Sequence, residues 1–344
     1  MPKFMLPLAT ALLLGTASPV LAAPNVLASL KPVHSLVAGV MEGVGAPQLL
    51  VQGAASEHGY TLRPSDAARI EAADLVFWIG PEMETYMTGL LDTLGGDAVA
   101  VPLIETEGLT LLDLREGGLF EAHEHGDHDH DHEHHDHEHD HNHDHDHDHD
   151  HDHDHDHDHH EHGEDEHDHH DHSHSDAHIW LDPANARLMV AAIAEALSAA
   201  DPDNAEAYDA NGRALVARLS DLQDNIAARL APLDGKPFFV FHDAYHYFEH
   251  RFDIEATGSF TVNPEIAPGA GRLTEIRAIV EQSDAVCLFA EPQFPPRVID
   301  TVAEGTGARI GTLDPLGATI PDGPELYFTL LDSLADSLID CLAD

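Results

Sequence analysis

Apolar residues along the chain gather into short runs separated by segments of helical period. Residues 25–30 (NVLASL), 48–52 (QLLVQ), 75–79 (LVFWI) and 99–104 (VAVPLI) are strand-like runs. The uninterrupted apolar character of 75–79 predicts a strand covered on both faces, and Pro102 marks the end or the edge of its neighbour. Between these runs, 32–44, 64–73 and 81–94 read as helices, each opening with a proline, a residue suited to the first helical turn. Strands separated by single helices argue for right-handed βαβ units on a parallel sheet.

A second alternating series lies further on. Residues 238–241 (FFVF), 286–290 (VCLFA) and 308–313 are predicted strands, and 251–257 an extended segment. Residues 242–249, 273–282, 296–305 and 326–342 are predicted helices. Between the two series, Asp182-Pro183 carries the signature of an N-cap followed by proline, and the helix continues through 188–197. Asp201-Pro202 repeats the signature and opens a helix to about Leu230, with Leu215, Leu219, Leu222, Ile226 and Leu230 on one stripe. At 1.5 Å per residue it reaches ~42 Å, enough for a strut between two lobes. The expected fold is α/β: two parallel (βα)-type lobes, 23–200 and 233–344, joined by a long helix at 201–232. In such sheets ligands bind outside the carboxyl ends of the strands, here in the cleft between the lobes.

Composition changes this picture in three places. The 344 residues carry 15 Lys+Arg against 64 Asp+Glu, a formal charge of −49. That balance argues against nucleic acid and anionic lipid as partners. Much of the charge sits in residues 121–176, which hold 26 of the 32 histidines, 24 carboxylates and no Lys or Arg. Outside this stretch the balance is 40 acidic to 15 basic, still acidic. The tract, mostly alternating His and Asp and set in a loop spanning 116–176, cannot build a core and should be solvated. Its density of imidazole and carboxylate predicts weak, multiple zinc binding.

The second place is the N-terminus. Lys3, the apolar run 8–14 (LATALLL) and the small residues before Ala22 read as a secretory signal over 1–22. The run is too short to span a bilayer, which takes ~20 residues. Export to the periplasm bears on the third place, because the only cysteines are Cys287 and Cys341. An oxidising compartment favours a disulfide between them, worth roughly 4 kcal/mol on the chain-entropy account; two unrelated buried thiols are the other reading.

Six histidines lie outside the tract: His34, His58, His178, His242, His246 and His250. His58 lies on a loop after QLLVQ with Glu57 beside it, His242 directly follows FFVF, and His178 leads into a helix start. Three neutral imidazoles with a carboxylate make a zinc set. His246 and His250 continue from His242 at i+4 and i+8, which on a helix is one solvated face. His34, near the start of the first helix, reads as a capping or supporting residue. Asp314 follows a strand and either supplies a carboxylate oxygen or caps a turn.

These residues sit in recognisable motifs: 53–60 (GAASEHGY) with 62–66 (LRPSD), 76–84 (VFWIGPEME), 178–183 (HIWLDP), 241–248 (FHDAYHYF), 289–294 (FAEPQF) and 311–316 (GTLDPL). Together they resemble the high-affinity zinc-binding solute receptors of ABC importers, the zinc branch of the metal-receptor family often called cluster A-I or cluster 9. The resemblance covers essentially all of the chain between the signal and the C-terminus except the tract. It implies two lobes bridged by a rigid helix, zinc as the transported ligand, an inner-membrane ABC permease as partner, and a monomeric receptor without enzymatic activity. It carries zinc ligation onto His58, His178 and His242, with Glu57 the usual fourth ligand and Asp314 or water the alternatives. A manganese-type receptor would place a carboxylate at the position of His242; histidine favours zinc. Zinc members also commonly carry a disulfide, here Cys287–Cys341. Readings of another class are a periplasmic zinc buffer or adhesin working through the tract, and a zinc hydrolase, which lacks an HExxH pair or a GxSxG elbow.

Overall fold

The computed structural model of the chain describes residues 23–115 and 175–343, apart from 95, 97, 234, 262, 263 and 267. The signal reading at 1–22 and nearly all of the His/Asp tract lie outside the described residues.

The first series folds into strands β1 (Val26–Ala28), β2 (Gln48–Leu49), β3 (Leu75–Trp78) and β4 (Val99–Pro102), all parallel, in the order β2-β1-β3-β4. The second gives β5 (Phe238–His242), β6 (Gly258–Thr261), β7 (Cys287–Ala290) and β8 (Arg309–Thr312), again parallel, in the order β6-β5-β7-β8. The two sheets therefore share one topology, with the reversal of strand order between β1 and β3 in one and between β5 and β7 in the other. Helices α1 (Lys31–Val40), α2 (Pro64–Glu71) and α3 (Thr85–Leu94) belong to the first series, and α6 (His246–Phe252), α7 (Ala270–Gln282), α8 (Arg297–Ala303) and α9 (Leu326–Leu342) to the second. Between them run α4 (Pro183–Ala200) and the 26-residue α5 (Ala205–Leu230). Among the described residues no helix is long and apolar enough to cross a membrane.

The strands alternate faces as their period demands. Val26, Ala28, Leu75 and Phe77 of one sheet, and Phe238, Val240, Cys287 and Phe289 of the other, point into one shared core. Leu27, Val76 and Trp78 face a separate outer cluster, as do Phe239, Phe241 and Leu288 on the second sheet. The stripe on α5 (Leu215, Leu219, Leu222, Ile226 and Leu230) is buried in the shared core with α1, α4 and α9. One hydrophobic interior thus runs through both lobes and fixes their relative placement.

Polar ties reinforce it. Trp180 Nε1 donates to the Pro315 carbonyl at 2.9 Å, and the Tyr327 hydroxyl donates to the Trp180 carbonyl at 2.6 Å. Lys31, buried at the start of α1, donates to the Ile320 carbonyl at 2.7 Å and pairs with Asp322 at 3.2 Å. Asp182 caps α4 by accepting from the Ala184 N–H at 2.7 Å, and it receives both Nε and Nη2 of Arg251 on α6, each at 2.7 Å. Cys287 on β7 and Cys341 on α9 form a disulfide.

Several elements differ from the sequence expectation. His242 ends β5 rather than opening a helix. The Ala244 N–H returns to the His242 carbonyl in a tight turn, and α6 begins only at His246, so His242 does not share a helical face with His246 and His250. The helix then runs to Phe252 and stops at Asp253, whose φ of 55° is left-handed. Strand β6 accordingly lies at Gly258–Thr261 instead of within 251–257. Pro81 begins a turn, with the Met83 and Glu84 N–H groups bonded to the Gly80 carbonyl, and α3 starts at Thr85.

Replacing Asp182 with alanine removes a helix cap and leaves Arg251 without its carboxylate. The combined cost is about 2–3 kcal/mol, measurable by urea unfolding; a change below about 0.5 kcal/mol would show that this tie does not hold α4 to α6.

Candidate metal centre

The sheet topology dictates where a site can form. At the reversal between β5 and β7 the carboxyl ends of two adjacent strands face an open crevice. His242 is the last residue of β5, and Glu291 directly follows β7. Both oxygens of Glu291 lie 2.8 Å from Nδ1 of His242. A carboxylate on one imidazole nitrogen fixes the tautomer and turns the other nitrogen outward as a lone-pair donor.

The same device recurs at His178. It precedes the helical turn Ile179–Leu181, and its Nδ1 lies 2.6 Å from Oδ1 of Asp176, which also accepts the His178 N–H at 3.0 Å. His58 comes from the other side of the cleft, on the loop after β2. Gly53 enters that loop with φ +73°, a conformation only glycine adopts without strain. The His58 N–H is held by Ser56 Oγ at 3.2 Å.

The three rings form a nearly equilateral triangle, with centroids 5.3, 5.4 and 5.4 Å apart. Their Nε2 atoms are all buried without a hydrogen-bond partner. Oε1 of Glu57 lies 3.9 Å from Nε2 of His58, 3.9 Å from that of His178 and 3.7 Å from that of His242. Glu57 is fully buried, and neither of its oxygens has a hydrogen-bond partner. Four zinc ligands at ~2.0–2.1 Å in a tetrahedron are about 3.3 Å apart, so a small inward shift of each side chain closes this cluster on an ion. Among the described residues, these four are the one group of three or more His, Cys, Asp or Glu side chains spaced to hold a metal.

The electrostatics of the cluster suit a cation. Burial pushes the Glu57 carboxyl up, against the pull of His242 and His178. Burial, then the neighbouring His178 and His242, hold His58 well below the ordinary imidazole range. His242 goes the other way: burial would lower it, but the Glu291 carboxylate overrides this and lifts it to about 9. On the first sheet, Glu84 accepts from the Ile79 and Gly80 N–H groups at 2.9 and 3.0 Å, and burial raises it to about 7. It stands near the β1/β3 reversal as Glu291 stands at the β5/β7 reversal.

The remaining candidates fall elsewhere. Asp314 accepts the N–H groups of Leu316, Gly317 and Ala318 and a hydrogen bond from Nε2 of Gln293; its carboxylate is engaged by a turn and lies outside the four-residue cluster. His34 is buried in α1 with Nε2 3.2 Å from the Pro47 carbonyl, a packing role. Sequence reasoning missed Asp176 and Glu291 as braces, although both stand in or beside the motifs HIWLDP and FAEPQF.

Two parallel α/β lobes with an imidazole–carboxylate cluster at their strand ends define a class, the bilobal metal-binding solute receptors. The chain belongs to the ZnuA family, whose profile, described as zinc-uptake complex component A periplasmic, matches residues 26–341. A high-affinity zinc uptake system protein ZnuA from Brucella suis is 51% identical over 338 residues, 98% of this chain and 97% of the relative. The crystal structure of a ZnuA superposes with a TM-score of 0.69 at 20% identity, covering 93% of this chain and 100% of the other. A mutant structure of the laminin-binding adhesin Lmb from Streptococcus agalactiae gives 0.69 at 21%, with 93% and 100% coverage. At those identities the structural likeness speaks for the fold alone.

With His242 raised to about 9, a metal taken up at its Nε2 near pH 7 would have to displace a proton. Zinc binding through this ring would then release about one proton, with affinity rising about tenfold per pH unit until it flattens near pH 9. Calorimetry in buffers of different ionisation enthalpy reads the release directly. Equal heats in all buffers would contradict it, and Glu291→Gln should diminish the release.

Proposed function

We propose that this chain captures Zn²⁺ outside the inner membrane with Glu57, His58, His178 and His242 and passes it to an ABC permease. The observation that carries the ligand assignment is the buried, unpartnered Glu57 carboxylate facing three unpartnered Nε2 atoms at 3.7–3.9 Å. A buried charge without a partner is strongly unfavourable, and a divalent ion among three neutral imidazoles removes that penalty. Three nitrogens to one oxygen in a four-atom set suit zinc, whereas manganese favours more oxygen ligands and higher coordination. As a member of a zinc-uptake family the chain is a periplasmic-type binding protein, not an enzyme. We further assign 1–22 as the export signal, 23–200 and 233–344 as the lobes, 201–232 as the linking helix, and the monomer as the working unit. The His/Asp tract is an auxiliary segment of weak zinc sites.

The ligand set is unevenly held. His178 and His242 are braced by Asp176 and Glu291, while Glu57 and His58 come from the loop that starts at Gly53. Docking to a permease can therefore disturb the loop pair without breaking the braced pair, which reconciles tight capture with release.

In chelator competition on the full chain, where only tight binding registers, His58→Ala and His242→Ala should each weaken the tight site by more than about a hundredfold, beyond what the loss of a brace costs. Tight binding unchanged in both variants would eliminate this ligand set.

A further inference from the structure

Strands β2 and β6 are equivalent edge strands in the two orders β2-β1-β3-β4 and β6-β5-β7-β8. Each is followed by a loop at its carboxyl end, the end at which such sheets open their crevice. The loop after β2 carries Glu57, His58 and Gly59, and the loop after β6 carries Glu265. His242 pairs with Thr261 where β5 and β6 end, so the second loop leaves its sheet beside a residue of the cluster.

The two loops meet at Gly59. A Cβ on this glycine would lie 2.5 Å from Cδ of Glu265, 2.6 Å from Oε2 and 2.8 Å from Oε1. Such similar distances to all three atoms mean that the carboxyl group meets the glycine face on, in space that any side chain would fill. Close approach to the backbone, and not an unusual φ, is what calls for glycine here; unlike Gly53, Gly59 is not left-handed. Both partners are exposed, so the contact lies at the rim of the cleft, above the buried cluster.

The ends of the first loop are fastened within their own lobe. Asp66 on α2 accepts from the Tyr60 hydroxyl and the Arg63 N–H, each at 2.8 Å, and pairs with Arg69 at 2.6 Å. Arg69 in turn donates to the Leu49 and Leu50 carbonyls at the start of the loop. The bond from the His58 N–H to Ser56 Oγ is internal to the loop and ties it to nothing else. Glu265 brings a contact from the opposite lobe onto the residue next to His58.

We propose that Glu265 is a positioning residue: its carboxyl group, seated on Gly59, latches the loop of Glu57 and His58 to the second lobe and slows the release of bound zinc. The latch rests on the ligand set assigned above, because it acts on the ion through that loop. A single exposed contact is weak enough for a docking partner to open and strong enough to change a dissociation rate severalfold.

Alanine suits the backbone at 59, and the three atoms nearest its Cβ all belong to Glu265, so Gly59→Ala acts by expelling that carboxyl group. The zinc-loaded full chain is mixed with excess EDTA. Trp180, whose ring lies 5.2 Å from that of His178, reports emptying of the cleft by its fluorescence. Glu265→Ala and Gly59→Ala should each quicken release about fivefold. The double variant should be no faster than either single one, because both remove the same contact. Glu265→Gln keeps the shape of the group and should release zinc at the rate of the unaltered chain. No variant should lower the urea midpoint or slow capture. Unchanged release in Glu265→Ala, or a gain of about twenty-five-fold in the double variant, overturns the latch. Slower capture, or a Gln variant that behaves as the Ala variant, also overturns it and makes Glu265 a rim charge that steers the cation. A faster release that comes with a lower urea midpoint reduces Glu265 to general support and overturns it too. Failure of the ligand set looks different: His58→Ala then keeps its zinc tightly, whatever the release rates of the Gly59 and Glu265 variants.

Discussion

The Glu57 carboxylate is the constraint on which the rest of this structure turns. It is fully buried, has no partner on either oxygen, and faces three imidazole nitrogens that also lack partners. Proteins rarely leave buried polar atoms unpaired, and four such atoms converging on one point make a setting a cation can complete. The folding energy spent on desolvating this group must come from elsewhere in the molecule, and the continuous interior supplies it.

That interior also explains why the donors stay convergent. Glu57 and His58 arise from the first sheet's side of the cleft, His242 from the second, and His178 from the segment entering α4. If the lobes had separate cores, such a set would drift with every hinge motion. Instead α1, α4, α5 and α9 pack into one cluster with the inner faces of both sheets, and Trp180, Tyr327 and Lys31 bond across it. With the lobes fastened, the freedom left to the site is local and lies in the loop that carries Glu57 and His58.

The three histidines of the cleft cluster were legible because each stands at a strand end or helix entry, where α/β sheets expose their crevice. Asp314 stands at the same kind of position, and three backbone N–H groups of the following turn engage its oxygens. The braces were not legible. Glu291 reaches His242 because β7 lies beside β5, a neighbour relation set by sheet order rather than by sequence distance. The course of 242–252 was misread for a similar reason. His242, His246 and His250 mimic a helical period, but β5 extends through His242 to pair with Thr261 of β6, and that pairing outweighs the local pattern. Strand β6 itself, GSFT, has a single large apolar residue and carries little signal of its own.

The braces also decide how metal and protons exchange. Glu57, Glu291 and Asp176 crowd acidic side chains into a site shielded from solvent. The cheapest compensation available to the folded chain is a proton on His242, which is why Glu291 lifts that ring to about 9 against the effect of burial. Proton and zinc then compete for one Nε2 atom, with the carboxylate behind it stabilising either occupant. The brace that orients this imidazole also stabilises a proton on it, so Glu291 couples whatever positive charge the ring meets to the acidity of the medium.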